Sequence, residues 1–254
     1  MNYEPIKVRG LVIGDGDVKI CYPVPGTTRE EIINEMKYVR GTKADLVEWR
    51  VDFYEDAHDA NAVIDLLQDV REALGDEKVL LFTIRTADEG SSKEFDRDYY
   101  FELINRAIGT GYIDMVDIEY YSKREMYKYT VAHAKTRGVK TIGSIHDFSG
   151  TNPAVILADT IDMMQGTCDI PKLAVLTTMP SDADRIFEAG KIVSEFEGAK
   201  FPSPFILIGM GENGSVTRRP DKFWGSSISY CSGKVATAPG QIALDEMLAI
   251  KEGK

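Results

Sequence analysis

The sequence is poor in the residues that metal, disulfide and nucleic-acid chemistries need. It has three cysteines and three histidines in 254 residues. Cys21, Cys168 and Cys231 are odd in number and match no zinc spacing, so they read as reduced thiols. No two of His58, His133 and His146 stand at metal-ligand spacing. No segment approaches the ~20 apolar residues that span a bilayer. Residues 1–10 lack the apolar core of a signal peptide. A cytoplasmic location with no membrane partner is therefore expected. Positive charge is also short. The formal net charge is −11, which disfavours nucleic acid, because phosphate backbones call for a basic surface. An anionic small molecule would need a few cations focused in one cleft.

What the chain has is an alternation of short apolar runs with longer amphipathic segments, the pattern of βα units and a parallel sheet. Strands are expected at Lys19–Val24, Asp45–Val51, Lys78–Arg85, Ile113–Glu119, Val139–His146, Ile170–Thr177, Phe205–Met210 and Lys234–Ala238. Helices are expected at Thr27–Arg40, Asn61–Leu74, Asp96–Gly109, Lys123–Arg137, Pro153–Gln165, Asp182–Phe196 and Gln241–Lys251. A short segment near Pro220–Gly225 follows the seventh strand. Eight such units fit a (β/α)8 TIM barrel, which takes ~250 residues, so residues 1–254 are expected to form one catalytic domain. Residues 6–18, with Gly14-Asp15-Gly16 as a turn, read as an N-terminal β-hairpin closing the barrel bottom. A doubly wound open sheet is the competing architecture. Its nucleotide signature is weak here, since Gly209-x-Gly211-x-x-Gly214 opens no clear helix.

A barrel of this kind carries its site at the C-terminal mouth of the strands. Ionisable residues collect there: Glu48 and Arg50 on the second strand, Arg85 on the third, Glu119 on the fourth, and His146 on the fifth. Lys172 lies within the sixth, Arg218 follows the seventh, and Thr237 and Gln241 follow the eighth. Glu48 and Arg50 are two apart and share one face of their strand. They form either a structural ion pair or part of a site. Glu119 either acts directly or caps a loop. Lys172 is the sharpest residue, because a lysine flanked by apolar residues in a central parallel strand is out of place without a task. Burial and nearby arginines favour its neutral amine, a nucleophile toward a ketone or aldehyde. The plain alternative is a lysine whose head reaches water. His146 sits one strand away and can both take and give a proton. His58 and His133 read as structural or exposed, and the tyrosine pairs at 99–100 and 120–121 as packing residues.

With these residues in place, the chain resembles the type I 3-dehydroquinate dehydratases. The resemblance runs through Glu48-Trp49-Arg50-Val51-Asp52, Phe82-Thr83-Ile84-Arg85 with Glu89-Gly90, Met115-Val116-Asp117-Ile118-Glu119, His146-Asp147-Phe148, Lys172-Leu173-Ala174-Val175 and Ala238-Pro239-Gly240-Gln241. It covers nearly the whole chain in order. It implies a small-molecule substrate, 3-dehydroquinate, and a homodimer. It also implies that Lys172 forms an imine, that His146 moves protons, and that Glu89 supports His146. Glu48, Arg50 and Arg85 would hold ring hydroxyls, Arg218 the carboxylate, and Thr237 and Gln241 would complete the lining. No metal or organic cofactor is implied, because the lysine itself supplies the electron sink. The sequence departs from the family pattern at Cys21, Ser91, Ile145, Thr237 and the run Thr177–Ser181. Twin arginines follow the seventh strand, and the spacing from Gly214 favours Arg218 over Arg219. Two other functions compete: another Schiff-base barrel lyase resembling a class I aldolase, and a metabolite-binding module without catalysis. The second is expected to lack Lys172 or His146, and both are present.

Overall fold

The computed structural model describes residues 3–120, 124–195, 198, 202–221 and 224–253. In chain order the elements are β1 (Ile6–Val8), β2 (Leu11–Ile13), β3 (Lys19–Val24), α1 (Arg29–Arg40), β4 (Leu46–Arg50), α2 (Ala60–Leu74), β5 (Val79–Thr83), α3 (Arg97–Thr110) and β6 (Met115–Glu119). They continue with α4 (Arg124–Thr136), β7 (Lys140–Asp147), α5 (Ala154–Met164), β8 (Ile170–Leu176), α6 (Ser181–Glu195), β9 (Ile206–Met210), β10 (Ile228–Tyr230) and α7 (Leu244–Lys251).

β3 to β9 pair in sequence order and in parallel, with β10 parallel beside β3. The ring closes where Phe205 bridges Ser226, with the Ser227 N–H donating to the Phe205 carbonyl at 2.8 Å. The result is a (β/α)8 barrel, not the open sheet.

Strand alternation builds two cores. Side chains with a period of two point to opposite faces. On β4, Val47 and Trp49 pack outward under the helices, as does Val51 just past its end, while Leu46 points into the barrel. Inside, Cys21, Leu46, Val79, Met115, Ile142, Ile170, Ile206 and Ile228 form an apolar floor. Burying each large aliphatic side chain contributes roughly 1.5–3 kcal/mol. Among the next inward positions toward the mouth, Glu48, Asp117, Ser144 and Lys172 are polar, and Thr83 follows one step further up β5, all buried. The same pleat that lays the floor thus raises a polar layer above it. Helix starts are fixed locally. Thr28 and Glu31 form a capping box on α1, and Asp59 and Asp96 accept the first backbone N–H groups of α2 and α3.

β1 and β2 form the expected hairpin, and Val8 and Ile13 join the apolar floor, sealing the barrel bottom. The hairpin turns at Arg9-Gly10, where Arg9 has φ 50°, and not at Gly14–Gly16. Those glycines, with φ of 90° and 95°, carry the chain from the hairpin toward β3.

The eighth strand is Ile228–Tyr230, not Lys234–Ala238. Ile228 and Tyr230 point inward and pair with Lys19 and Cys21. Three residues give too short a pattern to stand out in sequence. Residues 234–238 are a loop held by Gln241. After β9 the helical segment is a 3-10 helix at Glu212–Arg218, upstream of the expected Pro220–Gly225. Lys222 and Phe223 within that expectation lie outside the described residues, as do the expected helix ends Lys123 and Phe196. The glycines at 209 and 214 serve a close return of this 3-10 helix onto β9, since a Cβ on Gly214 would meet Gly209 backbone at 2.4 Å. That packing accounts for the glycine spacing without a nucleotide.

Candidate active site

The mouth of the barrel holds one cavity lined by Glu48, Arg50, Arg85, His146, Lys172, Arg218, Tyr230, Thr237 and Gln241, with Ala174, Ile208 and Met210 as its apolar wall. The structure brings eight of the residues singled out from sequence to this cavity, while Glu89 stands behind His146 and Glu119 behind Arg85. A second, adjoining cavity shares His146 and is lined by Glu89, Asp88 and the outer faces of β7 and β8.

Lys172 projects inward from the middle of β8, level with Ser144 on β7. Its Nζ lies 3.2 Å from Oδ2 of Asp117 and 4.5 Å from the ring centre of Tyr230. The sequence pointed to cations around this amine. The structure adds a carboxylate and an aromatic face in direct contact. Asp117 is fully buried; burial alone would raise its pKa, but Arg85, Lys172 and Ser144 hold it down at about 2.

Arg85 organises the acids. Its Nη1 donates to Glu89 at 3.0 Å and Ser144 at 3.0 Å, and its Nη2 donates to Asp117 at 2.9 Å. Glu119 lies 3.5 Å from the same guanidinium and accepts from the backbone N–H and hydroxyl of Thr86 and from Arg97, each at 2.8 Å. Of its two readings, Glu119 therefore takes that of a loop cap. Breaking a buried pair in such a network leaves an uncompensated charge and costs about 3–5 kcal/mol.

Glu48 and Arg50 do share one face, yet they do not bond to each other. Arg50 grips Asp52 through two hydrogen bonds, at 2.9 and 2.8 Å, and Glu48 accepts from the Thr83 hydroxyl at 2.8 Å. Asp52 also receives the Ser91 hydroxyl at 3.2 Å, so the Glu89-Gly90-Ser91 segment is tied to β4.

His146, the penultimate residue of β7, has its Nδ1 2.9 Å from Oε2 of Glu89. Among the described residues its Nε2 has no hydrogen-bond partner. Burial pushes the imidazole well below its ordinary range, and the charges of Arg85, Lys172, Arg50 and Arg218 push the same way. Burial raises the Glu89 carboxyl to about 8, against the pull of Arg85. The ring at the cavity is thus neutral at neutral pH and free to accept a proton.

The twin arginines separate cleanly. Arg218, at the end of the 3-10 helix, is 3% exposed and faces the cavity, while the Arg219 side chain is 42% exposed and pairs with Asp221 at 3.2 Å. No carboxylate among the described residues pairs with Arg218, and its Nε has no partner. Burial lowers it to about 10, which still leaves a cation at neutral pH. An unpaired buried cation in a chain of net charge −11 is the focused positive site that an anionic ligand needs.

Gln241 is committed to its own loop. Its amide oxygen accepts the backbone N–H of Thr237 at 2.8 Å and of Ala238 at 3.2 Å, and its nitrogen donates to the Thr237 hydroxyl at 3.0 Å. Together they shape the rim. His58 stacks near Phe95 at 4.7 Å and His133 bonds Asn105 at 2.8 Å, both away from the cavity. Tyr100 is buried and its hydroxyl accepts the Glu119 N–H at 2.9 Å; Tyr121 lies outside the described residues.

Sequence reasoning missed Asp117, Ser144 and Tyr230 as site residues. The first two were findable: each stands two positions before a residue already placed at the mouth, hence on the same inward face.

A family model described as type I 3-dehydroquinase matches residues 20–252. The chain is 37% identical over 238 residues to the 3-dehydroquinate dehydratase of Syntrophotalea carbinolica, covering 93% of this chain and 92% of that one. It is 35% identical over 246 residues to that of Bacillus subtilis, covering 96% and 95%. Among solved structures, the type I 3-dehydroquinate dehydratase from Clostridium difficile with covalently modified comenic acid superposes with a TM-score of 0.92 at 30% identity, covering 99% of this chain and 98% of that one.

Proposed function

The chain belongs to the type I 3-dehydroquinase family, and on that premise we propose that it removes water from 3-dehydroquinate through an imine on Lys172. It is a hydro-lyase by family. In this reading residues 1–254 act as one catalytic unit on a small-molecule substrate in the cytoplasm, as a homodimer. The observation that carries the reading is one cavity holding a buried lysine amine, a neutral histidine and an unpaired arginine on neighbouring parts of the barrel mouth.

Arg218 takes the substrate carboxylate in a charge-assisted, two-pronged contact. That fixes the ring so that its ketone meets Lys172. The amine attacks the carbonyl carbon, the N–C bond forms, the carbonyl oxygen leaves as water with both amine protons, and a proton taken from solvent converts the imine to its iminium. The resulting iminium withdraws electrons from the adjacent carbon. His146, through Nε2, takes a proton from that carbon, and the electron pair moves toward nitrogen. Glu89 accepts from Nδ1–H through Oε2, which fixes the ring and leaves Nε2 as the atom that takes the proton. The enamine then expels the hydroxyl one carbon further on, and His146 returns its proton to the departing oxygen on the same face. Water adds to the imine carbon, the N–C bond breaks, and 3-dehydroshikimate and free Lys172 result. The net change is loss of one water.

Glu48 and Arg50 line the side of the cavity where ring hydroxyls fall, with Thr237 and Gln241 at the rim. Arg85 has its terminal nitrogens engaged with protein oxygens, so its main task in this reading is to hold Glu89, Ser144 and Asp117 in place. Asp117 positions Lys172 in the same way. The alternative of an aldolase-like lyase is disfavoured by the family membership. The test is direct: purified protein with 3-dehydroquinate produces the ultraviolet absorbance of the conjugated enone. No absorbance change at high enzyme concentration counts against the reading.

A further inference from the structure

Tyr230 is a buried residue whose hydroxyl has no hydrogen-bond partner among the described residues. It projects inward from β10, lines the cavity, and lays its ring 4.5 Å from the Lys172 Nζ. A buried hydroxyl without a partner forfeits the hydrogen bonds it made in water, and native structures rarely leave one so without cause. The other polar atom of this cavity in the same condition is Nε of Arg218. Both are donors, both belong to residues of the cavity wall, and neither has an acceptor among the described residues, an arrangement that suits an oxygen-rich ligand.

The position of the ring narrows the choice of oxygen. With its ring 4.5 Å from Nζ, Tyr230 belongs to the stretch of cavity wall that any group bonded to Nζ meets. The first such group, on the imine reading above, is the ligand carbonyl. We propose that Tyr230 is a further catalytic residue, whose hydroxyl donates a hydrogen bond to the ligand oxygen that reacts at Lys172.

The step balances without ionising the phenol. The Lys172 nitrogen forms a bond to the carbonyl carbon, and the carbonyl π pair moves onto oxygen. The two protons of the amine pass to that oxygen, which leaves as water and gives the neutral imine; a further proton on nitrogen gives the iminium. Tyr230 keeps its proton throughout and only stabilises the negative charge that gathers on the oxygen, the role of an oxyanion donor. Burial lifts this phenol well above its ordinary range, with Cys21, Glu48 and Asp117 adding to the effect, so it stays a donor at every working pH. The same contact assists the reverse step, when water adds to the product imine.

The inference rests on the imine reading, and the experiment separates the two. Wild type, Tyr230→Phe and Tyr230→Leu are compared for turnover, for the rate of borohydride-trappable adduct in a single turnover, and for melting temperature without ligand. The expected result is that Tyr230→Phe forms adduct more slowly and loses kcat/KM by about 10²-fold, the typical loss for one oxyanion donor. Its ligand-free melting temperature stays level or rises, because an unsatisfied hydroxyl has been removed. Tyr230→Leu, which also removes the ring beside the amine, melts lower and reacts no faster. If wild type forms adduct and Tyr230→Phe keeps its kcat/KM and adduct rate within twofold, the role of the hydroxyl is overturned while the imine reading stands. If Tyr230→Phe melts markedly lower and only then loses rate, the hydroxyl is structural and the inference is equally overturned. If wild type itself forms neither adduct nor product, the function falls and this inference with it.

Discussion

Oδ2 of Asp117 on β6 lies 3.2 Å from Nζ of Lys172 on β8, reaching past Ser144 on the strand between them. The contact ties the lysine of the cavity wall to a carboxylate that Arg85 also holds, at 2.9 Å. One carboxylate thus aims the amine through Oδ2 while Arg85 fixes it through Oδ1.

Asp117→Asn keeps the shape and removes the charge. It leaves the Arg85 guanidinium and the Lys172 amine with one buried anion fewer. A loss of about 3–5 kcal/mol in stability is expected, as for a broken buried pair. Turnover should fall more than substrate affinity, since the residue acts on the amine and not on the ligand. Denaturant unfolding with steady-state kinetics checks both. A variant as stable as wild type, with unchanged kcat, contradicts this placement of Asp117.

The twin arginines make a paired control. Arg218→Gln removes the unpartnered cation of the cavity, whereas Arg219→Gln removes an exposed charge already paired with Asp221. A hydrogen bond to a charged group is worth about 1.5–3 kcal/mol, so kcat/KM of Arg218→Gln should drop roughly 10- to 150-fold. Arg219→Gln should stay within about twofold, because exposed ion pairs contribute little. Reversed effects would show that the carboxylate sits outside the barrel mouth.

His146→Asn tests the division of labour. Adduct formation on Lys172 needs no proton abstraction from carbon, so the adduct should still form. Product formation should slow by about 10²–10⁴-fold, the usual contribution of a general acid–base group. Single-turnover trapping followed by product assay measures the two steps separately. Normal turnover in this variant would place the base elsewhere.

The Glu89–His146 pair also predicts a pH dependence of stability. Glu89 keeps its proton up to about 8 in the folded chain, against 4.5 for a free glutamate. Between those values the unfolded chain binds fewer protons, so the Glu89 contribution to stability is lost as pH rises. His146 has the opposite sign. Its folded pKa lies well below 6.5, so the unfolded chain binds more protons just under 6.5 and stability falls as pH drops there. From about pH 6.5 to 8 Glu89 acts without that opposition. Melting temperature of wild type relative to Glu89→Gln should therefore decline across this window. A difference that stays flat contradicts a carboxyl raised by burial.

Much of this site was legible because the β-strand period is two and the barrel mouth is one place. An ionisable residue near a strand's C-terminal end is carried to the same rim whatever its distance in sequence, which is how Glu48, Arg85, His146 and Lys172 could be grouped. The eighth strand was misplaced because Ile228–Tyr230 has only two inward residues, while the loop at 234–238 looks equally apolar and is fixed by a side-chain cap from Gln241. Tyr230 was lost with that strand. Asp117 could be placed on the inward face from Glu119, but which cation it meets depends on register across three strands. Likewise the pairing of Arg50 with Asp52 and not Glu48 follows from the turn that ends β4, since Val51–Phe53 is a 3-10 helix.

The most direct test of the central claim is borohydride reduction of the full chain with 3-dehydroquinate, followed by intact and peptide mass spectrometry. The account predicts one added ligand mass on the peptide containing Lys172, and none in Lys172→Ala. Formation of the enone product by wild type with no adduct on that lysine would contradict it.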